Sequence, residues 1–336
     1  MQRKFSAVVP VAGTGTRLKP HTNTYPKVLL TVGDKPILGH ILDQLIGLGT
    51  PEIFLVVGYL GDKIRQYVAA KYPGLNVRYA EQHEPRGLGH AISLTEKLVA
   101  GPVFILLGDT ILSADLAPFT DFSCDRLGVK SVPDPRRFGV VETGPDGIVT
   151  SLVEKPEHPA SNLAIVGAYS FSDSAVLYAS LNRLVASGKT TKGEIQFTDA
   201  LMDLVASGRR LRTVPIDGWY DCGKPETLLA TNRFLLDRNN RQDGPVCGGC
   251  MVIPPVYIAP GANLRNSIVG PYVSLGDGVT VENCIVENSI INEHAALKNV
   301  IIKDSLIGPD AVFKSRSQRI NIGENSEIFL GGETAE

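Results

Sequence analysis

Phosphate-handling chemistry is concentrated in one stretch near the start of the chain, Val9-Pro10-Val11-Ala12-Gly13-Thr14-Gly15-Thr16-Arg17-Leu18-Lys19-Pro20, continued by Tyr25-Pro26-Lys27. The apolar run 7–11 reads as a buried strand, and it empties into a loop of small residues. Gly13 and Gly15 carry no Cβ, so the backbone can bend sharply and a bulky anion can lie against it. Successive backbone N–H groups in such a bend form an anion-binding concavity. Thr14 and Thr16 add hydroxyl donors. Arg17 adds a planar fork able to hold two phosphate oxygens, and Lys27 adds a second, more mobile positive charge. The spacing is not that of a Walker loop. Nor is it a dinucleotide fingerprint, because Leu18 stands where the third glycine would be. Pro20 and Pro26 argue against an uninterrupted helix, so the stretch is expected to be a long loop bearing cations.

A second group able to act on phosphate is Asp109, in Gly108-Asp109-Thr110 directly after the apolar run 103–107. A carboxylate leaving a strand end can hold Mg²⁺; the same residue type also caps helices.

The elements that would position these groups alternate. Helix-like segments at 37–48, 62–72 and 87–99 interleave with strand-like runs at 53–57, 77–80 and 103–107. This rhythm predicts a mostly parallel sheet with helices on both faces, whose ligands bind beyond the carboxyl ends of the strands. Both the opening loop and Asp109 lie at such ends. Further along, 200–206 and 227–238 read as helices, the first capped by Thr198 or Asp199. Beyond about residue 239 the helical periodicity stops. Val252, Ile258 and Leu264, then Val269, Leu275 and Val281, recur every six residues, the mark of a parallel β-helix. That register is imperfect between Val281 and Leu306.

The run Gly-x-Gly-Thr-Arg-Leu-x-Pro, with Pro26-Lys27 and Lys35-Pro36, resembles the opening motif of the sugar-1-phosphate nucleotidylyltransferases, or NDP-sugar pyrophosphorylases. Ala12 replaces a frequent glycine of that family. The resemblance extends over most of residues 5–237. It implies an α/β fold: a Rossmann-like, mostly parallel nucleotidyltransferase domain (residues 1–238), a linker (239–250) and a short left-handed β-helix (251–330). It implies Mg²⁺ as cofactor, held by Asp109 and by Asp221 of Gly218-Trp219-Tyr220-Asp221-Cys222-Gly223. It implies that Ala12 to Arg17, together with Gln82, Gly87, Leu88 and His90, bind a nucleoside triphosphate, UTP or dTTP. Gly139, Glu154, Lys155, Val166 and Gly167 would bind a sugar-1-phosphate, glucose-1-phosphate first among them. Arg17 and Lys27 would be catalytic. Trp219 is read as packing. Relatives of this architecture also include non-catalytic regulatory subunits and bifunctional acetyltransferases. The presence of Arg17, Lys27, Asp109 and Asp221 speaks against the first, and a short β-helix with the single His294 speaks against the second. Oligomer contacts are expected through the β-helix.

Composition sets the outer bounds. A chain of 336 residues suggests two domains. A net charge of −2, with no basic block, gives no support to nucleic-acid or anionic-membrane partners. No apolar run is long enough for a membrane span, and the N-terminal residues lack the pattern of a signal peptide. Five cysteines make no disulfide framework. The odd count fits reduced thiols and a cytoplasmic location. Cys247-Gly-Gly-Cys250 has metal spacing without a second pair and reads as linker. Residues 331–336 are expected to be a loose tail.

Overall fold

The structure, a computed structural model, describes residues 4–239 and 249–315. The rest of the expected linker, with Cys247, the last part of the expected β-helix (316–330) and the tail lie outside the described residues.

The first domain is built on a twisted nine-stranded sheet and two separate strand pairs. Its strands in chain order are β1 (Ser6–Pro10), β2 (Thr31–Val32), β3 (Lys35–Pro36), β4 (Glu52–Val57), β5 (Val77–Glu81), β6 (Val103–Leu106), β7 (Thr110–Ser113), β8 (Asp125–Ser131), β9 (Gly139–Thr143), β10 (Val149–Glu154), β11 (Leu163–Phe171), β12 (Leu211–Pro215) and β13 (Gly218–Asp221). The helices are α1 (Ile37–Gly47), α2 (Gly61–Lys71), α3 (Leu88–Ser93), α4 (Ser174–Ser187), α5 (Phe197–Ala206) and α6 (Pro225–Asn239). The main sheet runs β10-β9-β11-β6-β1-β4-β5, with β8 also on β11 and β12 beside β8. From β6 to β5 every pair is parallel. At β11 the chain turns back and pairs antiparallel with β6, β8 and β9. Thus the half under the opening loop is parallel, and the half under the second set of expected binding residues is antiparallel.

β1 and β4 are continuous apolar runs because both faces of the sheet are covered. Ala7 and Val9 belong to one buried cluster with Ile37, Leu38 and Leu42, while Val8 belongs to the other with Ile92 and Leu177. Helix α3 is shorter than the run 87–99 suggests. The hydroxyl of buried Thr95 donates to Ile92 O at 2.7 Å and pairs with the Tyr178 hydroxyl at 2.7 Å. A side chain that bonds the preceding turn competes with helix continuation.

The C-terminal part is a parallel β-helix of three four-stranded sheets. Val252 lies beside Val269, Val269 beside Val286, and Val286 beside Ile302. Each coil is therefore 17 or 16 residues long, not three full hexapeptides. One or two corners per coil are a residue short, which accounts for the imperfect register. Left-handed corners at Asn266, Asn283, Asn288 and Asn299 turn the chain, with Asn283 Nδ2 donating to Asn299 Oδ1 at 2.9 Å. His294 sits at another such corner, φ 59°, stacked over Gly278. That is a structural position and gives an acetyl-transfer reading nothing further to stand on.

The β-helix docks on the first domain through α6. Fully buried Asn232 accepts from Gly33 N and Ser274 Oγ, both at 2.8 Å, and its Nδ2 donates to Tyr272 O at 3.3 Å. Ile290 enters the same apolar cluster as Leu18, Val32 and Leu235.

Candidate active site

The opening loop leaves β1 at the carboxyl end of the parallel strands. Gly15 takes the left-handed conformation, φ 63°, and a Cβ there would meet Thr22 Cγ2 at 2.9 Å and Lys27 Cβ at 3.0 Å. Glycine is required at this position on both counts. Buried Thr22 holds the turn, its Oγ1 donating to Gly15 O at 2.8 Å. Gly13 needs no unusual backbone angle, and a Cβ there would meet nothing within 4 Å; its value is an open approach to the backbone. The amides of residues 12–15 donate to no acceptor among the described residues. They form a row of free N–H groups, as the sequence leads one to expect.

Two adjoining cavities open here. The first, about 350 Å³, is walled by Ala12 to Arg17, Lys27, Gln82, Gly87, Leu88 and Asp109. The second, about 650 Å³, is walled by Gly139, Glu154, Lys155, Val166 and Asp221 among others. Thr16, Arg17, Leu88, Leu107, Asp109 and Glu194 belong to both. Almost all the residues expected from sequence therefore line one continuous cleft. Two stand one layer back. His90 reaches the first cavity through Gln82, its Nδ1 lying 3.1 Å from Gln82 Nε2. Gly167, φ 89°, accepts the Leu107 amide through its carbonyl, and a Cβ there would strike the Leu107 side chain.

Asp109 immediately precedes strand β7 and Asp221 ends strand β13, and the two strands form their own antiparallel pair. Asp221 lies opposite Thr110, and Cys222 N donates to Asp109 O at 3.0 Å. No helix begins at Asp109, so a capping role is absent. Lys27 Nζ is 2.7 Å from Asp109 Oδ2. Burial works to raise the Asp109 carboxyl, but the Lys27 charge and hydrogen bond, with Arg17 behind them, outweigh it and hold the group below the usual carboxylate range. On the other side, a Cβ at Gly223 would lie 2.7 Å from Asp221 Oδ1 and 3.0 Å from Arg17 Nη2. Arg17 and Asp221 therefore both lean over this bare glycine.

In the second cavity, Gly139 and Glu154 are cross-strand partners on β9 and β10. Thr198 Oγ1 donates to Glu154 Oε2 at 2.6 Å, and Lys155 Nζ is 3.0 Å from Glu154 Oε1. The Thr198 hydroxyl is thus spent on Glu154 and caps nothing; α5 begins after Gln196 with no side-chain cap. Sequence reasoning missed Arg136 and Arg137 as wall residues and gave Phe138 and Tyr169 no role of their own. Trp219 does pack, ring to ring with Phe138 at 4.6 Å, and in doing so forms part of the wall.

Among the described residues no group of three or more His, Cys, Asp or Glu is arranged to hold a metal ion. Two carboxylates suit Mg²⁺, which commonly takes one or two carboxylates and completes its shell with substrate phosphate and water.

The comparisons agree with this architecture. The sequence profile of the nucleotidyl transferase family matches residues 6–238, and the chain belongs to that family. It is 32% identical over 364 residues to the low-salt glycan biosynthesis nucleotidyltransferase Agl11 of Haloferax volcanii, covering 97% of this chain and 100% of that one. It is 33% identical to a glucose-1-phosphate thymidylyltransferase of Streptomyces griseus, covering 97% and 99%. A crystal structure of UDP-glucose pyrophosphorylase complexed with UDP-glucose superposes with a TM-score of 0.61 at 26% identity, over 70% of this chain and 100% of that one. Among the described residues no helix is long and apolar enough to cross a membrane.

Proposed function

We propose that the protein joins a nucleoside triphosphate, UTP or dTTP, to a sugar-1-phosphate, glucose-1-phosphate foremost, releasing pyrophosphate and forming an NDP-sugar. The observation that carries this reading is the meeting of Arg17, Lys27, Asp109 and Asp221 above a row of free backbone amides. The names of the relatives, one a thymidylyltransferase and one a UDP-glucose enzyme, support the choice of substrates.

The nucleophile is the phosphate oxygen of the sugar-1-phosphate, attacking the α-phosphorus while the bond to the β-phosphate breaks. A phosphate monoester has its second pKa near ~6 and is already largely ionised at neutral pH. No general base is needed. The protein's part is alignment and positive charge where negative charge gathers. The amides of residues 12–15 and the Arg17 fork receive the leaving pyrophosphate. Lys27, buried in the wall of the first cavity and paired with Asp109, offsets repulsion between the reacting phosphates. Glu154 accepts from sugar hydroxyls, and Lys155 faces the sugar's phosphate. Asp109 and Asp221 would hold Mg²⁺, which supplies charge neutralisation of the phosphates when bound. Exposed Met251, Ile285 and Ile301 on one sheet of the β-helix support its use as a contact between copies.

The test is pyrophosphate release over a panel of nucleotides and sugar-1-phosphates, with Mg²⁺ and with excess chelator. Turnover with a pyrimidine triphosphate and a hexose-1-phosphate, lost on chelation, is expected. No turnover with any pair would defeat the assignment.

A further inference from the structure

We propose that His90 is a positioning residue that holds the Gln82 amide with its oxygen offered to the nucleotide base, so that protonation of one imidazole removes the hold and with it part of the preference among bases. This rests on the reading that a nucleoside triphosphate fills the first cavity, and deepens it.

Gln82 follows β5, its amide N–H bonded to Val57 O at 2.8 Å, and its side chain lines the cavity beside Gly87 and Leu88. Its Nε2 is 3.1 Å from Gly87 O and 3.1 Å from His90 Nδ1. The two ends of a glutamine amide are told apart by their neighbours. A backbone carbonyl only accepts, so the nitrogen end must face Gly87. That carbonyl is fixed. Gly87 takes φ 108° with Ile195 backbone atoms 2.7 and 2.8 Å from where its Cβ would be, and Ile195 is tied on both sides, N to Arg86 O at 2.8 Å and O from Gly89 N at 2.9 Å.

One Nε2 proton goes to Gly87 O. The other meets His90 Nδ1, which can receive it only when bare, leaving the ring proton on Nε2. Both amide donors are then used inside the protein. Oε1 receives no hydrogen bond from the described residues, so the group offered to a ligand is an acceptor. Uracil and thymine present N3–H to it; cytosine presents a bare N3. When His90 gains a proton, Nδ1–H faces the amide N–H₂, two donors nose to nose. Turning the amide over is no remedy, because Oε1 would then face the fixed Gly87 O, acceptor against acceptor; the hold of His90 on Gln82 is lost instead, and Oε1 is no longer fixed toward the base. The pocket then tells N3–H from a bare N3 less sharply.

The imidazole is neutral in ordinary conditions. Burial lowers its pKa, Arg86 lowers it further, and Glu84 opposes them. The Glu194 carboxylate, on the segment packed against Gly87, already accepts from Gln196 Nε2 at 3.1 Å.

The experiment is equilibrium binding of UTP and of CTP, each with Mg²⁺, by calorimetry from about pH 8 to about pH 5.5. The ratio of the two affinities cancels titration of the triphosphate itself. A UTP preference at neutral pH that shrinks roughly three- to tenfold on acidification is expected, the worth of one hydrogen bond no longer aimed at uracil N3–H. In His90→Gln, whose amide oxygen can accept at any pH, the preference should persist and become flat with pH. In His90→Leu it should be reduced and flat. A parent ratio that does not move with pH, or a His90→Leu ratio that moves as the parent's does, overturns the proposal while leaving the transferase reading intact. Failure of both nucleotides to bind the parent would overturn that reading and this one together.

Discussion

Gly223 has no side chain to take part in chemistry, yet its replacement by alanine should be among the most damaging small changes in the chain. The added Cβ would stand 2.7 Å from Asp221 Oδ1 and 3.0 Å from Arg17 Nη2. Ordinary contacts of this kind close at about 3.5 Å, so each group must retreat by roughly 0.5–0.8 Å. A misplacement of about 1 Å at a reacting centre costs ~100-fold. Gly223→Ala should therefore lose roughly 10- to 100-fold in kcat/KM, about 1.4–2.7 kcal/mol of transition-state stabilisation. Stability should change by no more than about 1 kcal/mol: the backbone here is not left-handed, and the obstructed atoms are side-chain tips facing a cavity. The assay is steady-state pyrophosphate release with UTP or dTTP and glucose-1-phosphate, paired with a thermal melt. Activity within threefold of the parent, with the melt unchanged, would refute the argument that Arg17 and Asp221 work from the positions they hold.

Lys27→Ala should still bind nucleotide while turning over at least roughly 100-fold more slowly, as expected when charge aimed at the transition state is removed; calorimetry beside kinetics checks this. Asp109, whose folded-state pKa is depressed by Lys27, contributes stability present above its unfolded value and lost as pH falls through the folded one. Urea unfolding without metal should therefore find Lys27→Ala less stable than the parent at pH 7, the gap closing in acid. Glu154→Gln removes the charge that accepts from Thr198 and pairs with Lys155; KM for the sugar-1-phosphate should rise about 10- to 150-fold, the range for a charged hydrogen bond, with the nucleotide KM unmoved. Asn232→Leu strands Gly33 N and Ser274 Oγ in the seam between the domains and should cost about 2–4 kcal/mol in denaturant unfolding.

The opening loop was legible in the sequence because its parts are contiguous: Gly15, Thr16, Arg17 and Lys27 fall within one short stretch, and the fold adds only the Thr22 bond that holds the turn. The partnership of Asp109 with Asp221 was legible only through family resemblance. It depends on the register of β7 with β13, two short strands far apart in the chain, and no local periodicity announces such a pairing. Thr198 was read as a cap because a hydroxyl before a helix usually is one. Its actual acceptor, Glu154, lies on another strand. Phe138 and Tyr169 became wall residues through the antiparallel turn-back at β11, where the βα rhythm gives no guidance. In the β-helix the sixfold apolar recurrence identified the architecture, while the shortened corners that set the coil length carry no composition signal.

The seam built by Asn232 and Ile290 bears on how this protein can be taken apart. Severing the chain after α6 would strip the cover from the flank formed by Leu18, Val32 and Leu235 and leave an amide group reaching for partners that have gone. The two halves are thus poor candidates for exchange as cassettes. A graft of a foreign β-helix would have to bring its own equivalents of Ser274, Tyr272 and Ile290, or the transplanted molecule would begin with an open wound beside the loop that carries Arg17.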